Sequence, residues 1–141
     1  MKLEKVIAIS GKPGLYQIIS QSKSGLIVES LSDKKRIPVN NLNTISTLND
    51  IAIYTYDEEV PLKKVFLNIH EKEEGKKTID PKSDKKDLLA YFEGVLPEFD
   101  EERVYPSNIK KVLSWYNALL DSDFDFSSIK EELEKEEKEQ E

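Results

Sequence analysis

The chain has 141 residues, 38% of them apolar and 35% charged, enough for one lean core in one ordinary domain or two very small ones. It contains no cysteine, which excludes disulfides, thiolate nucleophiles and Cys-type zinc sites and fits a cytoplasmic protein. The net charge of −7 is uneven: residues 1–70 hold nine Lys/Arg and seven Asp/Glu (+2), residues 71–141 twelve and twenty-one (−9), so only the front half suits a polyanion.

Met1-Lys2-Leu3-Glu4-Lys5 lacks the apolar run of a secretory leader, so folding is expected to start at once. No stretch nears the roughly 18 apolar residues of a membrane span. Val6-Ile7-Ala8-Ile9 predicts a strand ending at Ser10-Gly11-Lys12-Pro13-Gly14, where Pro13 and Gly14 suit the centre of a type II turn. Leu15–Ser20, Leu26–Leu31 and Arg36–Val39 follow as strands between tight turns, with Pro38 restricting the last to an edge or bulge. Asp50–Thr55 reads as a final strand. So many short strands in about fifty residues predict a small antiparallel sheet, which hides its edges best by curling up. We therefore expect an α+β protein that opens with an SH3-like antiparallel β-barrel.

Pro61 opens a helix with Leu62, Val65, Phe66 and Ile69 on one face, completing a unit over residues 1–70. Residues 71–82 are nearly free of hydrophobes and read as a charged linker. Residues 83–126 predict a helical hairpin. Its first helix is capped by Ser83 and carries Leu88, Leu89, Phe92 and Val95. Its second is capped by Ser107 and carries Ile109, Val112, Leu113, Tyr116 and Leu119. Residues 127–141 bring Ile129 and Leu133 among seven Glu and three Lys, which predicts a solvated, fraying acidic tail.

Four segments resemble an uncharacterised family of small Bacteroidetes proteins, a domain of unknown function. They are Ile9–Tyr16, Gly25–Leu31, Leu48–Thr55 and Arg103–Lys111, the last continuing to Trp115-Tyr116-Asn117. The resemblance spans most of residues 4–120 and implies no activity, cofactor or catalytic residue.

The residues themselves carry little enzyme chemistry. Gly11-Lys12-Pro13-Gly14 is too short for a phosphate loop, and its Lys precedes Pro rather than Ser/Thr. His70 has no second imidazole beside it and suits a surface position at a helix end. Asp121, Asp123, Asp125 and Glu132 match a calcium-loop frame, but Phe126 stands where the loop needs Gly. We expect no metal and no cofactor; only a carboxylate pair assembled by folding leaves an enzyme open.

A non-enzymatic binding or scaffolding module is the primary expectation, with another protein as partner. Its surface would be the barrel's edge strand or the helix bearing Lys111 and Trp115. Trp115 sits about 100° from the middle of the apolar stripe, where it either lines the core or anchors an interface. The alternative is nucleic-acid or ribosome-associated binding through Lys12, Lys23, Lys34, Lys35 and Arg36 on the barrel turns, with Tyr16, Tyr54 and Tyr56 as stacking faces.

Overall fold

A computed structural model describes residues 2–139. Strands β1 (Val6–Ile9), β2 (Tyr16–Ser22), β3 (Gly25–Ser30), β4 (Arg36–Val39) and β5 (Ile45–Thr47) form an antiparallel sheet in the order β4-β3-β2-β1-β5. The β1–β2 turn has Gly14 at φ 82°, the conformation a type II turn demands after Pro13. At Gly25 (φ 147°) a Cβ would press on the Val39 carbonyl oxygen of the neighbouring strand, so any other residue would force the backbone to shift.

Both faces of this sheet are apolar, for different reasons. Val6 and Ala8 of β1 face the helices and join the main core. Ile7, Ile9, Val28 and Val39 point the other way into a second cluster built from sheet residues alone, where Ile7 and Val28 have no exposed surface. A flat face could not bury its own side chains so completely, so the sheet must coil over this cluster. The register shift between Ile18 and Ser20 in β2 is a bulge of the kind that adds such twist.

The closed SH3-like barrel expected from the strand pattern does not form: β4 and β5 remain the two edges of an open sheet. Two features explain this. Strand β5 is only three residues long, and Pro38 in β4 withholds a donor that closure would use. Pro38 does lie on an edge strand, as its missing N–H requires. The expected strand over residues 50–55 is shorter, β6 (Ala52–Tyr54), and pairs with β7 (Glu59–Pro61) in a separate two-stranded ribbon.

Helix α1 (Leu62–Lys72) leaves this ribbon directly, with Pro61 at its N-cap. Its apolar residues recur at helical spacing, and Glu74 (φ 54°) and Gly75 (φ 82°) stop it while the Gly75 N–H donates to the His70 carbonyl at 2.9 Å. Helices α2 (Lys85–Val95) and α3 (Pro106–Asp121) form the expected hairpin, with caps one or two residues away from those predicted. Asp84 rather than Ser83 caps α2, accepting from the Asp87 N–H at 3.0 Å. At α3 the Asn108 side chain accepts from the Tyr105 N–H at 2.8 Å, and Pro106 takes the first helical position.

Two segments expected to be loose are tied to the core. The region between α1 and α2 has no regular element, yet the buried Tyr116 hydroxyl donates to the Lys76 carbonyl at 2.8 Å. Asn117 holds Thr78 from both sides, and Ile79 packs on the core. The tail forms α4 (Ser127–Glu139), begun where the Asp125 carboxylate accepts from the Ser127 N–H and hydroxyl. Helix α4 buries Ile129, half-buries Leu133 and lies along α1. There Lys63, only 5% exposed, pairs with Glu132 at 3.7 Å and with Glu136. Two apolar residues and one buried cation are enough to dock a helix that composition alone assigns to solvent.

His70 differs from the expected surface position: its ring stacks on Phe126 at 4.6 Å and it is half-buried, while Phe126 fills core space with Tyr116 and Phe124. The main core thus runs without a break from Leu3 to Ile129.

Two measurements probe these attachments. Ending the chain at Ser128 should cost about 2–4 kcal/mol through lost burial of Ile129 and Leu133. Glu132→Gln with Glu136→Gln should cost about 1–2 kcal/mol, more than Lys63→Met, which leaves no unpaired charge. A truncated chain melting within about 2 °C of the full one would show that α4 does not dock. Separately, Tyr116→Phe with Asn117→Ala should accelerate tryptic cleavage after Lys76 and Lys77 several-fold, because local release exposes that backbone; unchanged cleavage would show that other contacts hold the segment.

Candidate functional site

A hollow of the surface lies where α3 passes the end of β1. Its volume is about 510 Å³, and it is lined by Ala8 to Gly14, by Ser46 and Ile51, and by Lys110, Lys111, Ser114 and Trp115 of α3. A second hollow of about 230 Å³ continues past Trp115 to Tyr54 of β6 and to Arg103. Trp115, Lys111 and Ile51 border both, so the two hollows adjoin at Trp115 and are treated together as one groove. Helical geometry places Lys111 one turn before Trp115 on the same face. Trp115 is half-buried: its inner part packs on the main core and the rest looks into the groove. Trp115 therefore lines the core with one part of its side chain and leaves the rest accessible in the hollow.

The charge on the groove is one-sided. Lys12, Arg103, Lys110 and Lys111 line it, and no Asp or Glu does, in a chain of net charge −7. Arg103 is held in place. Its Nε donates to the Asp100 carboxylate at 2.7 Å, its guanidinium lies 4.2 Å over the Tyr54 ring, and the Asp100 N–H donates to the Tyr54 carbonyl at 2.9 Å. The bond from Arg103, with a further one from the Glu102 N–H, holds the Asp100 carboxyl below the ordinary aspartate range. Lys12, Lys110 and Lys111 take part in none of the ion pairs among the described residues.

The other predicted basic residues do not join this site. Lys34, Lys35 and Arg36 lie on or beside the β3–β4 turn, at the same end of the sheet as Lys12, because alternate turns of an antiparallel meander share an end. The Leu31 N–H, donating to the Leu15 carbonyl at 3.0 Å, links the two turns. Lys23 sits in the β2–β3 turn at the opposite end, about 20 Å away along β2. Arg36 is occupied, with Glu29 at 3.0 Å. Tyr54 and Tyr56 are exposed and Tyr16 is half-buried against the second cluster, so the three do not form one stacking face. Sequence reasoning missed Lys110 and Arg103. Lys110 neighbours Lys111 and could have been noticed; Arg103 reaches the groove only because the α2–α3 loop returns to β6.

Both halves of the chain match family models described as domains of unknown function, DUF5606 over residues 3–48 and DUF6852 over residues 51–119. A solution NMR structure of a Bacteroides vulgatus protein, a structural-genomics target, is 42% identical, covers 88% of this chain and 89% of its own, and superposes with a TM-score of 0.73. The chain belongs to this uncharacterised Bacteroidetes family. No curated protein matches it. Among the described residues, no helix is long and apolar enough to cross a membrane.

The Asp100 clamp makes a pH-dependent contribution. Because its folded pKa is lowered, the stability it supplies is complete above the ordinary aspartate range and is lost as pH falls through the lowered value. Asp100→Asn should therefore flatten the acid limb of the stability–pH curve below about pH 4 while lowering stability at pH 7. Parallel curves for the two proteins under chemical denaturation would rule the clamp out.

Proposed function

We propose that the protein is a non-enzymatic, cytoplasmic binding module whose partner is another protein, seated in the groove at Trp115. The observation that carries this reading is the half-buried Trp115 bordering both hollows of a groove that also presents Tyr54 and Arg103. Trp, Tyr and Arg are the residues most enriched at the energetic centres of protein interfaces. Their cost of ordering is already met here: Trp115 is packed on the core, and Arg103 is fixed by Asp100 and Tyr54. We read the coiled five-stranded sheet as an SH3-like barrel left open between β4 and β5, serving to hold the Gly11–Gly14 loop against α3. The nucleic-acid reading has weaker support, since Lys23 stands apart and Arg36 is engaged by Glu29.

The test is capture on the immobilised full chain from native cytosol, with and without RNase. Wild type should retain a protein that survives RNase and is lost with Trp115→Ala and with the exposed-site variant Lys111→Glu, both checked for unchanged circular dichroism. Retention that vanishes with RNase would favour nucleic acid. Retention indifferent to both substitutions would place the partner elsewhere.

A further inference from the structure

We propose that the groove takes an extended acidic peptide segment of a partner protein, with one apolar side chain resting on Trp115 and carboxylates meeting Lys12, Lys110 and Lys111. This rests on the groove being the binding site and adds the chemistry of what fills it.

Three observations converge on that occupant. The first is charge: three lysines without ion pairs among the described residues line the larger hollow, with no carboxylate among its walls. Like charges held together in a strongly acidic protein raise one another's cost until an anion arrives, so they favour an acidic ligand and reject a basic one. The second is size and shape. At about 510 Å³, with a further 230 Å³ adjoining it at Trp115, the groove has room for a few residues of extended chain. The third is that charge is paired with an apolar floor of Ala8, Ile51 and the Trp115 ring. A bare phosphate or a duplex backbone would leave that floor uncovered, whereas a Leu or Phe flanked by Asp or Glu covers it and reaches the lysines on either side. Ser46, on short edge strand β5, also lines the groove, so the sheet edge lies next to the bound segment.

Trp115 is the only tryptophan, so the intrinsic tryptophan signal comes entirely from a residue that borders this groove. The experiment selects binders to the full chain from a displayed library of random octapeptides. The best are then titrated as synthetic peptides, following Trp115 emission, beside a mixed single-stranded oligonucleotide. The selected peptides should carry net negative charge and at least one Leu, Phe, Ile or Trp. Their binding should weaken roughly tenfold with Lys111→Glu and severalfold between low and physiological salt, as a charge-steered contact does. Replacing their acidic residues by Lys should abolish it. Neutral or basic selected peptides that still depend on Lys111 and shift Trp115 would defeat the acidic-ligand proposal while leaving the groove as the site. Failure to select any peptide that perturbs Trp115 would defeat both. An oligonucleotide that shifts Trp115 more tightly than any peptide would replace the protein ligand by nucleic acid.

Discussion

The fold depends on the burial of α1 on nearly every side. Six of its eleven residues are buried, and it touches all three other helices and the β7 strand from which it springs. A single helix cannot hide so much apolar surface by itself. Leu62, Val65, Phe66 and Ile69 therefore draw α2 and α3 onto one flank, while Lys63 and Leu67 require cover on another. The acidic α4 meets that need, matching a buried ammonium with two half-exposed carboxylates on a helix that has little else to bury. Helix α1 is thus the element against which α2, α3 and α4 find their positions.

The groove is a consequence of that packing. Helix α3 sits on α1, so its far face is free to pass the end of β1 and the Gly11–Gly14 loop. The sheet touches the helical half mainly through β1 and the turn before β6, and the remainder coils over its own small core. Between a sheet that curls away and a helix held by other contacts, an open cleft remains. Trp115 lies there because it falls at the edge of the α3 apolar stripe, where part of its side chain packs on the core and part is left over.

Much of this was legible in the residues. Alternating apolar runs and Pro/Gly turns located β1 to β4 and placed Pro38 on an edge. Helical periodicity located α1, α2 and α3 to within a few residues, and the resemblance to the Bacteroidetes family held over the segments that suggested it. Of the candidate site, Lys111 and Trp115 were identifiable from their position on the α3 face, and Lys12 from its turn. Barrel closure was not legible from the strand pattern, because hydrophobic alternation says which face is buried and not whether a short β5 and a proline-bearing β4 can pair across the opening. The α4 helix and the tied segment after α1 were missed because each uses one or two apolar residues, Ile129 with Leu133 and Ile79, which look incidental among charges.

Local chemistry in the sequence was sufficient for element type, since periodicity, turn residues and missing donors act over a few positions. Which cations would share a surface was decided only by tertiary structure. Lys12 and Lys111 are 99 residues apart (111 − 12) yet line one hollow, and Arg103 reaches it through Asp100 and Tyr54. Lys23, by contrast, is closer to Lys12 in sequence and stands at the other end of the sheet. The physical reason is that charge exerts its field through space, and the path that brings two side chains together is set by the burial of other residues, here those of α1 and α3.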